Sequence, residues 1–559
     1  MNTNKNVFYY MVIALMGMQC MDFTSIIAGK KQAVARHKSH ESTCCKKEFR
    51  PYRPCDAVKK SACVDCSCCK KSGSVCAEVE NIFNLELSSD IYGNSNAITA
   101  LRTVCLPGNS QESMLIAEQR GIIWNVNLAT KVTTQLLDIT ALTTNPAFSE
   151  MGLTAIEPDP CFHINGLLYI SYALADSGGE PVEIITPSPC FPETLTQEWQ
   201  YTTSWDHTNV IEAWKYNSGF QTFEKIERYL EVKSVQTNHQ GIDNLRWDNE
   251  KNGLVYTLGD TESNFVRRDA ITVPVFNLAQ QDEFMQGKQI LLNVHNWPYV
   301  AASDQYAVAK FSELPMSVQS RVKLLNKGIR NGNSPVAEHC NDRWIRYQSI
   351  QGEETLEAIF AYDAYCKNFG WRPIEGGTLE STFRLNACPE PEEDRRIYPP
   401  FFTEDLQATN LWNIVHRPVE SVFNNTSDYT VSQIGAIPYK GTKLPHLKNA
   451  VITAWYDSRK IDLSGRFPEQ IVSSGTLRYF CPDRNCLQQR VNNYNIVLKG
   501  FTPVQPVEEG TILENTAIGA NKDLTEIYFA SRTSLDGGIP YPPFALNKFL
   551  SVWHLKPAS

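Results

Sequence analysis

The chain has 559 residues, 42% hydrophobic and 11% aromatic, which is long enough for one large folded domain or several ordinary ones. Its formal net charge of −9 at pH 7 argues against a general nucleic-acid-binding protein, because such a protein needs a basic face. The sequence also lacks a P-loop, a glycine fingerprint for dinucleotides, a His-Glu-x-x-His motif and a Gly-x-Ser-x-Gly elbow, which argues against nucleotide-binding, zinc-protease and hydrolase functions.

The first 29 residues have the pattern of a secretory signal. Lys5 precedes an apolar segment, Val7 to Met18, that is too short for an ordinary membrane span. An uncleaved anchor that reaches toward Gly29 is the alternative, although Asp22 interrupts it. We therefore expect a secreted or extracellular protein, or one anchored in the membrane by this segment.

Residues 30–77 are predicted to form a basic linker and a small cysteine-rich module. The sequence has 17 cysteines; eight lie in this module and eight more are spread downstream, at Cys105, Cys161, Cys190, Cys340, Cys366, Cys388, Cys481 and Cys486. Even numbers favour disulfides in an oxidising compartment. Cys63-x-x-Cys66 also permits a zinc site, but no distal Cys or His pair matches it. The basic excess of the module is either a solvated face or a contact surface for an acidic partner, such as a protein or glycan ligand.

Residues 78–559 read as an all-β domain. Short apolar runs alternate with Gly, Asn, Asp and Pro turns, and the repeated hairpin units favour a β-propeller over a sandwich. The units are unevenly spaced, which predicts insertions over 181–207, 267–296, 388–404 and 457–470. The overlapping sequons at Asn424 and Asn425 are compatible with glycosylation.

The stretch from His239 to Asp260 predicts a β-hairpin. Two strand-like runs flank an Asn252-Gly253 turn, so the two ends of the stretch should lie together. A carboxylate beside an imidazole makes the pair a candidate general base, although it could equally cap a strand end.

The order of motifs from about Ala97 onward resembles the glucose/sorbosone dehydrogenase family, the quinoprotein sugar dehydrogenases with Hedgehog-interacting-protein-like relatives. The segments that carry the resemblance are MLIAEQRG at 114–121, EMGL at 150–153 with EPDP at 157–160, GLLYISY at 166–172, the hairpin ending in Gly259-Asp260, GIRN at 328–331, QGE at 351–353, NFGW at 368–371 and YKG at 439–441.

The resemblance implies a six-bladed β-propeller that binds pyrroloquinoline quinone (PQQ) and calcium and oxidises a sugar or polyol, passing electrons to an external acceptor. It implies that His239 is the base, that Asp260 orients it, and that Arg330 and Asn331 hydrogen-bond the quinone oxygens. Four further residues are implied around the bound groups: Lys440 and Glu150 at the cofactor, and Gly352 and Glu353, through their backbone carbonyls, at calcium.

Two departures from the family pattern leave a second function open. The region 508–520 contains no arginine where the family grips the carboxylates of the cofactor, and Glu353 replaces a proline. Buried carboxylates need cationic partners. The alternative function is a catalytically inactive extracellular propeller that binds a protein or glycan ligand.

Overall fold

The computed structural model describes residues 74–86, 96–143, 151–175, 181–187, 198–204, 207–234, 241–260, 265–268, 271–274, 279, 282–298, 307–352, 356–370, 374–375, 378–379, 418–423, 425–426, 429–457, 477–487, 489, 491–499, 511–535 and 546–558. All of them belong to one compact unit, Pro51–Ser559. The predicted signal segment lies outside the described residues, as does the cysteine-rich module up to residue 73, so both stay predictions.

The regular secondary structure of the described residues is almost entirely β-strand, which confirms the all-β prediction. The first half of the chain contains β1 (Val75–Glu86), β2 (Ile98–Cys105), β3 (Glu112–Glu118), β4 (Ile122–Asn127), β5 (Thr133–Asp138), β6 (Leu153–Pro158), β7 (Leu167–Ala175), β8 (Pro181–Pro187), β9 (Glu198–Ser204), β10 (His207–Asn217), β11 (Thr222–Ser234), β12 (Leu245–Asp248), β13 (Gly253–Leu258), β14 (Phe265–Arg268), β15 (Ile271–Pro274) and β16 (Lys288–Leu292).

The second half continues in the same way. It contains β17 (Val322–Lys327), β18 (Asn331–Gly332), β19 (Val336–Cys340), β20 (Arg343–Gln351), β21 (Leu356–Tyr362), β22 (Ile374–Glu375), β23 (Thr378–Leu379), β24 (Glu420–Phe423), β25 (Asn425–Thr426), β26 (Tyr429–Pro438), β27 (Val451–Asp457), β28 (Leu477–Phe480), β29 (Asn493–Lys499), β30 (Thr511–Ala520), β31 (Ile527–Leu535) and β32 (Leu546–Pro557).

Helices within this part of the chain are short. They are α1 (Phe162–Asn165) and α2 (Met316–Gln319), with 3-10 turns at Phe311–Glu313 and Pro445–Leu447. None of the helices in the described ranges has the length and apolar character that a membrane crossing requires.

The strands form sheets in a propeller-like arrangement. Three sheets have four strands each, in the orders β2-β3-β4-β5, β11-β10-β7-β6 and β12-β13-β16-β17. A fourth has the order β18-β20-β21-β24, with β19 also paired to β20. The largest sheet has nine strands, β25-β26-β27-β28-β29-β1-β32-β31-β30, and contains one parallel pair, β1 with β29.

The hydrophobic core lies between neighbouring sheets. One cluster joins the β2–β5 sheet to the β6–β11 sheet through residues such as Leu115 and Leu168, and others follow between each successive pair of sheets. A further cluster joins the nine-stranded sheet back to the first, where Leu550 and Met114 meet. Because both faces of a sheet are covered, its inner strands read as continuous apolar runs, and β13 is buried at all six positions.

Two of the predicted insertions contain strands outside the main sheets. The hairpin β8-β9 lies within 181–207, and the hairpin β14-β15 overlaps the start of 267–296. The second insertion is shorter than predicted, because β16 belongs to a main sheet. The predicted insertion at 388–404 lies outside the described residues, as does nearly all of the one at 457–470.

The disulfide prediction holds for only part of the downstream cysteines. Cys340, Cys481 and Cys486 are disulfide-bonded, whereas Cys105 and Cys161 are thiols. An even number of cysteines therefore does not imply that every one is paired, because pairing needs the two Cβ atoms to be close in the fold.

Candidate functional site

The predicted hairpin is β12-β13. Leu245 is paired with Tyr256 and Asp248 with Gly253, and Asn252 in the turn has a φ of 50°, a left-handed conformation that asparagine tolerates. His239 lies outside the described residues, so its proximity to Asp260 stays a prediction. The hairpin places Asp260 two residues beyond β13.

Asp260 is buried, with 1% of its surface exposed. Its backbone N–H donates to the carbonyl of Arg330 at 2.7 Å, while the N–H of Gly287 donates to the carbonyl of the preceding Gly259 at 2.8 Å. These bonds join the end of β13 to the segment before β18 and to the start of β16. Asp260 and Arg330 are thus brought together from positions 70 residues apart in the sequence.

Arg330 and Asn331 connect this point to the next strand. The guanidinium of Arg330 donates to the carbonyl of Gly352, and the side-chain amide of the buried Asn331 donates to Oε1 of Gln351 at 2.6 Å. Asn331 also faces Gln351 in the β18-β20 ladder. One end of two neighbouring sheets therefore contains four residues that were predicted from three separate motifs: Asp260, Arg330, Asn331 and Gly352.

A close backbone contact fixes the start of the hairpin against β18. Gly241 has a φ of +89°, and a Cβ at that position would stand 2.8 Å from the carbonyl oxygen of Gly332. Only glycine combines this conformation with this approach. The segment that follows His239 is therefore held directly against the strand that carries Asn331.

Lys288 is a buried residue of the site that sequence reasoning missed. It faces Leu258 in the β13-β16 ladder, is 0% exposed, and its Nζ donates to the carbonyl of Gln286 at 2.9 Å. Burial lowers the pKa of its ammonium well below the ordinary value, although the carboxylates of Asp282 and Asp260 oppose this shift. A lysine that opens a strand carries no sequence signal of burial, and only the packing reveals an amine close to Asp260.

Lys440, which was predicted to lie at the cofactor, is not part of this group. Its Nζ forms an ion pair with the carboxylate of Glu338, and its backbone N–H donates to the carbonyl of Leu524 at 2.7 Å. Glu338 is paired with Ile345 on β20, whereas Asn331 is paired with Gln351, six residues further along the same strand. At about 3.3 Å per residue this separation is about 20 Å. Lys440 thus lies at the opposite end of the sheet.

Of the two predicted calcium ligands, the structure describes only Gly352. Glu353 lies outside the described residues, and the carbonyl of Gly352 accepts the hydrogen bond from the Arg330 guanidinium. A divalent ion about 4 Å from a guanidinium is repelled by about 8 kcal/mol at an effective dielectric of 20. In the described part of the chain, no cluster of three or more His, Cys, Asp or Glu side chains could hold a metal.

Two further points concern the predicted cofactor site. Glu150 lies outside the described residues, so its role stays a prediction. The strand β30 has the sequence TILENTAIGA and carries no lysine or arginine. Arg532 on the neighbouring β31 faces Glu514 of β30 in the ladder. An arginine is therefore present one strand away from the position at which the resemblance to the glucose/sorbosone dehydrogenase family predicts an arginine pair.

No family model and no curated protein matches the chain. Among solved structures, a glucose dehydrogenase is similar, with 13% identity and a TM-score of 0.47 over 85% of this chain and 100% of its own. The soluble aldose sugar dehydrogenase of Escherichia coli, in the apo form, has 11% identity and a TM-score of 0.47, over 86% and 100% of the two chains. The PQQ-bound aldose sugar dehydrogenase of Streptomyces coelicolor has 13% identity and a TM-score of 0.43, again over 86% and 100%. At this level of similarity, a functional conclusion has to come from the site.

Proposed function

We propose that this protein is a sugar or polyol dehydrogenase of the quinoprotein type. The observation that carries the proposal is the convergence of Asp260, Arg330 and Asn331 at one end of two neighbouring sheets. The family resemblance implied that these residues act together, and Asp260 is 70 residues away from Arg330 in the sequence. A buried carboxylate, a guanidinium and a buried amide in one place supply a proton-orienting group and two kinds of hydrogen-bond donor.

In this proposal the protein moves a proton and orients the reacting groups. His239 accepts the proton of the substrate hydroxyl, and Asp260 holds the imidazole in the tautomer that can accept it. Gly241, two residues after His239, contacts β18, and two residues of chain span at most about 7 Å. His239 can therefore reach the site.

The donors fit the quinone part of PQQ. Arg330 and Asn331 would hold its carbonyl oxygens through the guanidinium and the amide. When bound, PQQ supplies a quinone that accepts hydride from the substrate carbon. Calcium is not part of the proposal, because the carbonyl of Gly352 is already bonded to Arg330.

We also propose that the domain is a six-bladed propeller. The nine-stranded sheet would then comprise two blades, β26-β27-β28-β29 and β30-β31-β32-β1, joined by the parallel β1-β29 pair. The first strand of the domain would complete the last blade, a pairing that closes the ring. The hydrophobic clusters that run from sheet to sheet and back to the first support this reading.

An extracellular location remains our proposal. The disulfide-bonded Cys340, Cys481 and Cys486 favour an oxidising compartment, and the apolar segment at the amino terminus favours export. The acceptor of the electrons would be an external redox partner. The cysteine-rich module would contact a protein or glycan ligand.

The test is reconstitution with the quinone. The purified chain, incubated with PQQ, is expected to acquire the cofactor's absorbance and to reduce an artificial dye when an aldose or polyol is added. His239→Gln should abolish dye reduction and leave quinone uptake intact. The matched control is His163→Gln, an exposed histidine on α1, which should retain full activity. Absence of both quinone uptake and dye reduction would refute the proposal.

A second candidate function is a ligand-binding propeller without catalysis, and one observation favours it. The β30 strand offers no cation to the carboxylates of the cofactor. In that case the protein would bind a protein or glycan ligand saturably, and His239→Gln would leave that binding unchanged.

A further inference from the structure

A cleft lies at the end of the sheets opposite to Asp260 and Asn331. It has a volume of about 590 Å³, within the range of small-ligand sites. Four turns line it: the β12-β13 turn, the β19-β20 turn, the loop between β26 and β27, and the β30-β31 turn. These turns come from four different parts of the chain, so the cleft exists only in the folded domain.

The floor of the cleft is an ion cluster around Glu338. Glu338 is buried and accepts hydrogen bonds from Arg484 Nε at 2.8 Å and from the hydroxyl of Tyr347 at 2.8 Å, in addition to its ion pair with Lys440. Burial raises the pKa of this carboxyl, but Arg484 and Lys440 outweigh burial and lower it. Glu338 is therefore ionised and fully engaged, and it leaves little negative charge for the opening of the cleft.

The rim is positively charged. Lys448 and Lys522 are both exposed and both line the cleft. Within the described part of the chain neither forms an ion pair, and the carboxylate of Asp523 beside them is not paired either. Two lysines against one carboxylate give the rim a positive excess that favours an anion.

One wall of the cleft is aromatic and amide-rich. Trp344 is half-buried and lies edge to face with His339 at a centroid distance of 5.2 Å. The Asn341 and Asn249 amides also line the cleft. An indole face packs against the apolar face of a sugar ring, and amides bond its hydroxyl groups.

We propose that this cleft binds a small acidic saccharide. Its carboxylate or sulfate group is held by Lys448 and Lys522, a ring face packs on Trp344, and the asparagine amides bond the hydroxyl groups. The site is separate from the dehydrogenase site and requires no quinone, since the two lie at opposite ends of the sheets. Failure of the proposed dehydrogenase activity therefore does not bear on it.

The experiment is calorimetric titration of the full chain, without quinone, at low salt. The probes are a uronate disaccharide, a sulfated disaccharide, a neutral disaccharide of the same size and inorganic sulfate. We expect at least one of the two acidic disaccharides to bind, with an affinity that falls as salt is added, and the neutral disaccharide to show no measurable heat. The two acidic probes distinguish a carboxylate from a sulfate as the recognised group.

Two variants locate the site. The double variant Lys448→Gln with Lys522→Gln should lower the affinity for the acidic disaccharide by about tenfold. The matched control, Lys215→Gln with Lys323→Gln, removes two exposed charges on β10 and β17 and should leave the affinity unchanged. Because all four lysines are exposed, folding should be unaffected, which a thermal melt checks.

Trp344→Leu separates a saccharide from a bare anion. This variant should lower the affinity for the disaccharide and leave any binding of inorganic sulfate unchanged. The proposal is overturned if neither acidic disaccharide binds, if the neutral one binds equally well, if both lysine pairs weaken binding to the same extent, or if sulfate alone matches the disaccharide.

Discussion

Replacement of Gly241 by alanine tests the contact that holds the His239 segment against β18. The left-handed φ of +89° costs an alanine about 1–2 kcal/mol. Its Cβ would also stand 2.8 Å from the carbonyl oxygen of Gly332, a backbone atom that cannot turn away. Overpacking of this kind adds about 1–3 kcal/mol. We therefore expect Gly241→Ala to lower the free energy of unfolding by about 2–5 kcal/mol.

The matched control is Gly108→Ala. Gly108 has a similar φ, +76°, but nothing lies within 4 Å of the Cβ that alanine would add. This variant should lose only the conformational part, about 1–2 kcal/mol. Urea titrations of the two variants and the parent give the difference directly. Dye reduction by the quinone-loaded protein should fall in Gly241→Ala and not in Gly108→Ala. Equal losses of stability in the two variants would refute the close contact, and unchanged activity would refute its part in placing the base.

Three further predictions follow from other contacts. Arg330→Lys should lower the rate of dye reduction by about 10²–10³-fold. The planar guanidinium of arginine can bond to the carbonyl of Gly352 and present a second donor to the site, whereas lysine lacks this fork. A rate within twofold of the parent would contradict this. Chelation with EDTA should leave the quinone affinity unchanged, because Arg330 occupies the expected calcium carbonyl; a loss of quinone absorbance on chelation would show the reverse. Asp248→Asn should cost about 1.5–3 kcal/mol at pH 7, because it removes the charged 2.8 Å partner of the fully buried Arg346 and leaves the guanidinium with one carboxylate, that of Glu250. Asp363→Asn, which breaks an exposed ion pair, should cost about 0–1 kcal/mol. Burial raises the pKa of Asp248 but Arg346 outweighs it, so the folded pKa is lowered; the Asp248 contribution is present above the ordinary value of 3.8 and is lost as the pH falls below it. Urea titrations at pH 7 and at pH 3 should therefore show a smaller difference between Asp248→Asn and the parent at the lower pH.

Local patterns predicted local structure well. The Asn252-Gly253 turn and the alternating runs beside it specify the β12-β13 hairpin, because turn chemistry and side-chain alternation act within a few residues. The grouping of Asp260, Arg330 and Asn331 was also expected, although from resemblance to a family and not from spacing.

The surroundings of two predicted site residues, Lys440 and Gly352, depend on non-local packing. Lys440 carries the right charge for a cofactor ligand, but it pairs with Glu338 about 20 Å away from Asn331, measured along β20. The expected calcium carbonyl of Gly352 is occupied by Arg330, which a motif cannot reveal.

The sequence by itself determined that this chain is all-β, where its hairpins turn and which polar residues end a strand. Only the tertiary structure decided which strand ends meet. It placed β1, the first described strand, between β29 and β32, which both come from the carboxyl-terminal part of the chain. It also buried Lys288 near Asp260. It also gathered four turns into a basic cleft at the opposite end of the sheets. The physical reason is that turn and strand preferences depend on neighbouring residues, whereas burial, charge pairing and cavities depend on residues that only the folded chain brings together.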